Sequence, residues 1–276
     1  MPFLSSAQKY DSLLFVQASQ EFEQKNWRAC DLTCEKIFFF SEDPQLVNNT
    51  MFLKSLISLN QEDYQTAYEE IMKINYSMIQ SDSLRYVYRV NTALVAYLND
   101  NYPEVNSAFN ELKSDFPDSN GVFIDSFLDV FAFNMQWRFA EADTLLQQYF
   151  DKYNSQSTAD ILKIEAKNIY HHVPKKKSVK KARILAVIPG LGHAYCGYYT
   201  EGLVSFGLNL SALAFTGGCI YSGLYVTSFF IGGSLLSQFT FGSFARAEKL
   251  VLKRNNFRVN KFNQIVTNFV LPSKSF

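Results

Sequence analysis

Residues 184–245 limit how this chain can fold more than any other stretch. These 62 residues hold one formal charge, Glu201, and one histidine, His193. A helix needs about 20 mostly apolar residues to cross a bilayer. The uncharged run 202–244 is 43 residues long, with Gly217, Gly218 and Gly223 near its middle. It predicts two membrane helices, about 202–220 and 224–244, joined by a tight glycine turn. Everything upstream then reads as a soluble region tethered to a membrane.

Charge divides the chain the same way. Residues 1–170 carry 24 acidic and 13 basic side chains, and residues 171–276 carry 2 acidic and 13 basic. An acidic module joined to a segment bordering anionic lipid fits that asymmetry. Lys175, Lys176, Lys177, Lys180, Lys181 and Arg183, just before the apolar block, are the expected lipid headgroup contacts. Nucleic acid is not an expected partner, because the positive charges flank an apolar block that holds most of the nearby aromatics. Both ends of the hairpin are basic, so both are expected on the cytoplasmic side with the glycine turn outside. The start lacks a basic n-region and a full apolar core. Leu4, Ser5, Ser6 and Ala7 nevertheless resemble the residues before a signal cleavage site. A true start upstream of Met1 would place the N-terminal region outside and require a third crossing at 184–199.

An internal period runs through the first half. Trp27, Tyr64, Tyr102 and Phe139 are spaced 37, 38 and 37 residues apart. Three residues after each comes Cys30, Ala67, Val105 or Ala142; seven after comes Cys34, Ile71, Phe109 or Leu146; ten after comes Ile37, Ile74, Leu112 or Tyr149. Offsets of 3, 7 and 10 trace one helix face. Nine before the aromatics stand Ala18, Ser55, Ala93 and Val130, suited to close approach on a preceding helix. Each unit is therefore expected to be a helix, a turn and a second helix. The turns fall at Lys25-Asn26, Glu62-Asp63, Asp100-Asn101 and Gln136. Breakers at Asp43-Pro44, Ser81-Asp82 and Phe116-Pro117-Asp118 separate the units.

This pattern resembles the tetratricopeptide repeat family over about residues 11–154, with a period about three residues longer than the family's 34. The resemblance implies an all-α solenoid of about four units capped by a helix near 158–170. Such arrays bind peptides or protein segments along a concave face built by their first helices. The inward positions would be Asn49, Phe52, Leu56 and Leu59, then Val87, Val90, Leu94 and Tyr97, then Ile124, Phe127, Phe131 and Asn134. Of these, Phe52, Leu56, Leu59, Val90, Leu94, Tyr97, Phe127, Phe131 and Asn134 form the candidate partner-binding groove. It lacks the lysines that grip a C-terminal carboxylate, so it suits an apolar or aromatic segment. The other reading is that a tight superhelix buries this face on itself.

The membrane region has its own motif. Pro189, Gly190, Gly192, Tyr195, Gly197 and Gly202 resemble a P-G-x-G-Q-x-Y-x-G signature of small bacterial two-helix membrane domains of unknown function, with His193 at the glutamine position. The resemblance covers about 180–245 and implies location rather than activity. The run 184–199, broken at Pro189-Gly190, reads as interfacial or re-entrant, with Tyr195, Tyr198 and Tyr199 at the headgroups. Thr200 is a candidate cap for the first membrane helix, with Glu201 in its first turn. Ser228/Gly232 and Gly233/Ser237 are small pairs suited to close helix packing. Asn209 faces the expected depth of Ser234, with Gln238 one turn away. A homo-oligomer through the membrane helices is a further expected assembly.

The expected organisation is thus repeats over 1–170, a basic linker at 171–183, a membrane domain at 184–245 and a basic juxtamembrane tail at 246–276. Cys30 and Cys34 read as core residues, His171-His172 as a linker pair, and no zinc pattern occurs. The chain shows no nucleophile-elbow, P-loop or metalloprotease motif, so neither an enzyme nor a cofactor is expected. The leading expectation is an integral protein of the bacterial inner membrane, acting as a tetratricopeptide-like adaptor or scaffold for a protein partner. The alternative is a small channel- or transporter-like protein with a regulatory repeat domain.

Overall fold

The computed structural model describes residues 3–117 and 123–270, without the side chains of 3–10, 123–126 and 153. The 4–7 cleavage-site resemblance, Asp118 and the side chain of Ile124 lie outside these described residues. The fold is all-helical, with no strand among the described residues. It divides into two compact units, Met1–Ile164 and Glu165–Phe276.

The first unit is a chain of helical hairpins: α1 (Phe3–Glu23) with α2 (Trp27–Phe40), α3 (Pro44–Asn60) with α4 (Tyr64–Ile71), α5 (Asp82–Leu98) with α6 (Tyr102–Asp115), and α7 (Phe123–Met135) with α8 (Phe139–Tyr153). Each hairpin packs on the next through α2 on α3, α4 on α5 and α6 on α7. The periodic aromatic is in every case the first residue of the second helix. Ala18, Ser55, Ala93 and Val130 are at most 1% exposed, as are Cys30, Ala67, Val105 and Ala142. The small residues at these sites let the paired helices approach closely, and Cys30 Sγ donates to Ala18 O across the first pair at 3.1 Å. Between α6 and α7, buried Asp129 accepts from Lys113 Nζ at 3.0 Å and from Asn106 Nδ2. Burial raises its pKa, and Lys113 opposes that rise.

The four hairpin turns are the same device. Lys25, Glu62, Asp100 and Trp137 all have φ between 58° and 64°. In the first, Lys25 N bonds Phe22 O at 2.9 Å and Asn26 N bonds Glu21 O at 2.9 Å; the other three repeat that pattern. This is a Schellman closure, normally built on glycine. The next residue then opens the second helix: Asn26 and Asp63 accept from Ala29 N and Thr66 N at 3.4 and 3.1 Å. A left-handed non-glycine residue costs about 1–2 kcal/mol, while glycine gives back roughly 0.5–1 in backbone entropy. The Glu62 side chain is exposed and makes no bond that glycine would lose. Glu62→Gly is therefore expected to stabilise the chain by about 0.5–1 kcal/mol, read as a higher midpoint in denaturant. An unchanged or lower midpoint would show that the turn is not strained.

The next helix, α9 (Gln156–His171), carries the boundary between the two units. The second unit holds α10 (Val179–Leu185), α11 (Leu191–Cys196), α12 (Tyr199–Tyr221), the short α13 (Tyr225–Thr227), a π turn (Ser228–Gly232) and the long α14 (Gly233–Val270). Among the described residues, one helix, α12, is long and apolar enough to cross a membrane, and only 17% of its most apolar window is buried. Several expectations shift here. Gly217 and Gly218 lie inside α12, and the turn is Ser222, Gly223 and Leu224, with Gly223 at φ 76°. The expected second helix has no end at 244, because α14 continues through the basic residues to Val270. Thr200 caps nothing, since α12 starts at Tyr199 with no side-chain cap, although Glu201 is in its first turn. Ser228 and Gly232 are buried, while Gly233 and Ser237 are exposed. A Cβ on Gly232 would stand 2.4 Å from Thr216 Oγ1, so this glycine lets α12 and the π turn touch.

The linker and the tail form one structure. Asn255 bonds Lys177 twice, Nδ2 to O and Oδ1 from N, both at 2.9 Å, and Arg258 donates to Lys175 O at 2.7 Å. Ala182, Cys196, Leu250 and Val251 form a buried cluster joining α10 and α11 to α14. Tyr195 and Tyr198 pack against that cluster, which leaves Tyr199, 69% exposed, as the exposed member of the tyrosine trio.

Candidate functional site

Two surfaces collect the residues singled out by the sequence. The first is on α5. Leu84, Val87, Leu94 and Leu98 are 36–42% exposed and fall, with half-buried Asn91, at spacings of three, four, three and four. That 3.5-residue period is the seam by which one helix receives another. Asn91 Nδ2 is tied to Val87 O at 2.8 Å. Of the expected groove, Leu94 lies on this seam, and Val90 and Tyr97 are half-buried beside it in the α5/α6 core. Phe52 stacks on Tyr88 with centroids 4.2 Å apart, and Phe52 and Leu59 pack into the α3/α4/α5 core. Leu56 is half-buried. Phe127 and Asn134 are buried, and Phe131 is half-buried. The fourth hairpin therefore does not offer the continuous face expected of it. Leu84 and Leu98, outside the expected groove, complete the seam; their heptad spacing was the signal for them.

The second surface is built by the glycine motif. Gly190 has φ 86°, and a Cβ there would stand 2.4 Å from Gly202 O; the reverse substitution at Gly202 would meet Gly190 O at 2.8 Å. Gly192 is packed against Ala182 and Ala186 in the same way. These contacts press α11 against α10 and against the first turn of α12, and His193 is left 3% exposed. Beside His193 a cavity of about 440 Å³ opens between α12 and α14, reaching Ser205, Leu208, Asn209, Gln238 and Arg246. Arg246 grips Glu201 with two bonds of 2.9 and 3.1 Å. Deeper in, Asn209 Oδ1 accepts from Thr240 at 3.3 Å. The cross-hairpin partner of Asn209 is thus Thr240 rather than Ser234, and Gln238 lines the cavity instead.

His193 Nδ1 is buried without a hydrogen-bond partner. Burial holds the pKa of His193 below its ordinary 6.5; the Glu201 carboxylate opposes this and Arg246 reinforces it. The unfolded chain therefore takes up this proton before the folded one does. Stability from this group is present above pH 6.5 and declines as pH falls through the window below it. Wild type is expected to melt lower at about pH 5.5 than at 7.5, with a smaller difference in His193→Gln. Equal pH dependence in both would show that His193 is not held neutral.

The expected lipid contacts are placed unevenly. Lys177 folds over the Tyr195 ring and bonds Tyr195 O, and Arg183 pairs with Glu248. Lys175, Lys176, Lys180 and Lys181 are exposed. Among the described residues no cluster of three His, Cys, Asp or Glu is placed to hold a metal. Comparison with family models, curated proteins and solved structures found no match for this chain.

Proposed function

We propose that this protein is a membrane-anchored adaptor that holds an amphipathic helix of a partner protein on α5. The observation that carries this reading is the exposed seam of Leu84, Val87, Asn91, Leu94 and Leu98. An unpaired apolar seam with a 3.5-residue period is complementary to a second helix with the same period, and a polar position within the seam, such as Asn91, fixes register. The surrounding module is acidic, so the partner helix would carry basic residues beside its apolar stripe. The hairpin series resembles tetratricopeptide arrays in the order of its small and aromatic positions, which supports reading it as a solenoid scaffold.

In the same reading, α12 and the segment through the π turn and the start of α14 form a hairpin in the bacterial inner membrane. Exposed Ile184, Val187, Ile188 and Leu191 lie in the interface beside it, and the basic residues on both flanks face the cytoplasm. Gly207, Gly217 and Gly218, with nothing within 4 Å of a built Cβ, leave room for a second copy against α12.

A photoreactive residue at Val87 or Leu94 in the intact membrane protein is expected to capture one discrete partner. The same residue at Gln65 is expected to capture none, and Leu84→Asp with Leu98→Asp to abolish the capture. Equal capture from Gln65, or capture that survives the aspartates, would count against the seam. A second reading, a small channel- or transporter-like protein regulated by the hairpin array, draws on the cavity where His193, Glu201 and Arg246 meet. It requires solute flux in proteoliposomes that Arg246→Gln changes.

A further inference from the structure

A second cleft in the C-terminal unit brings four cations together with apolar and aromatic side chains, among them Phe262 and Pro174, and with His172. It has a volume of about 450 Å³, and Lys175, Arg254, Arg258 and Lys261 line it, with Phe257 and Ile265 on its apolar side. No carboxylate lines it. The two carboxylates described between residues 171 and 270 are both engaged elsewhere: Glu201 by Arg246 and Glu248 by Arg183. Like charges gathered without a counter-charge raise the energy of the fold, so the arrangement is complementary to an anion.

The cations are also held in place. Arg258 is anchored by its bond to Lys175 O. The Arg254 guanidinium lies against the backbone of Gly197, 3.8 Å from a built Cβ, and 5.6 Å from the Phe257 ring centroid. Arg254 Nε is buried and has no hydrogen-bond partner. An N–H left unpaired at a buried site is costly.

We infer that this cleft binds a phosphate-bearing anion of at least two charges, with an apolar portion against Phe257 and Ile265. Guanidinium groups match phosphate oxygens in geometry as well as charge, and the volume suits a small organic ligand. Arg254 and Lys261 lie about 12 and 22 Å beyond Arg246 along α14. The headgroup layer is only about 5–8 Å deep on each side. On the proposed membrane reading, with the bilayer edge at Arg246, the first charge after the apolar run, a soluble phosphate compound reaches the cleft more readily than a lipid headgroup does.

The test uses the full chain in a neutral detergent, which does not depend on topology. Pyrophosphate is titrated by calorimetry, with nanodiscs containing phosphatidic acid as a second arm. Pyrophosphate is expected to bind, and Arg254→Gln with Lys261→Gln to weaken binding at least tenfold. Lys249→Gln with Lys253→Gln, two exposed cations of the same helix outside the cleft, is expected to leave it unchanged. Lys261→Gln alone, at an exposed position, checks that the loss is not misfolding and is expected to weaken binding by itself. Binding of phosphatidic acid nanodiscs alone, with the same dependence on Arg254 and Lys261, keeps the site and makes the lipid its source of phosphate. No binding in either arm, or equal loss from both double substitutions, overturns the inference.

Discussion

Gly190→Ala is expected to remove about 2–5 kcal/mol from the C-terminal unit, while Gly217→Ala leaves it intact. Both positions are glycines of the apolar region, so a composition argument treats them alike. Their surroundings differ. Gly190 has φ 86°, and its built Cβ stands 2.4 Å from a backbone oxygen of α12, whereas nothing lies within 4 Å of the Cβ built on Gly217. The left-handed backbone costs about 1–2 kcal/mol for an alanine. The clash with Gly202 O adds an overpacking cost of roughly 1–3. Relief requires α11 to move off α12, which also unseats His193. Thermal unfolding of the detergent-solubilised chain reads the difference. A Gly190→Ala protein melting like Gly217→Ala would mean that α11 does not press on α12.

The second large effect is expected at the hairpin contacts. Ala67 and Ala142 are 0% exposed and begin the packed face of α4 and α8. Tryptophan at either site has to push apart the packed helices of its hairpin, α3 from α4 or α7 from α8. Overpacking of this kind costs about 1–3 kcal/mol and often more, a large share of a typical domain's 5–15. Ala67→Trp or Ala142→Trp is therefore expected to make residues 1–164 sensitive to limited proteolysis and to lower the helical signal at room temperature. Resistance equal to wild type would place the helix contacts elsewhere.

These two sites show what the sequence carried and what it did not. The hairpin core was legible because its spacing repeats: aromatics near every 37 residues, with small residues at fixed offsets, admit few other packings. The turns themselves were only located. Lys25, Glu62, Asp100 and Trp137 are not left-handed formers by type, and only the closing backbone bonds reveal their conformation. The pairing across the hairpin was not legible at all. The turn lies at Ser222–Leu224, later than the middle glycines suggest, and the π turn at Ser228–Gly232 adds to the returning helix without adding a turn, so a symmetric fold of the apolar run sets Asn209 opposite Ser234 when its partner is Thr240. The pairing of Glu201 with Arg246, 45 residues apart, follows from the same register. The charges after Phe244 read as a boundary, yet nothing in 246–270 breaks a helix, and Asn255 binds the linker back onto it. The cationic cleft arises from that folding back and has no linear motif.

In the proposed reading, the apolar hairpin crosses a membrane and returns, keeping both basic flanks on one side. Single cysteines at Lys180, Ser222 and Asn256, all exposed positions, report it. The unsubstituted chain serves as the blank because Cys30, Cys34, Cys196 and Cys219 are all buried. Burial pushes the Cys30 thiol up to about 11 and raises those of Cys34 and Cys196 as well, which keeps them unreactive. With an impermeant thiol reagent added to intact cells, labelling is predicted at 222 alone, with 180 and 256 labelled only after lysis. Labelling at 180 and 256 but not 222 would invert the hairpin. Protection of all three until lysis, with release of the protein by carbonate washing, would contradict the membrane claim outright.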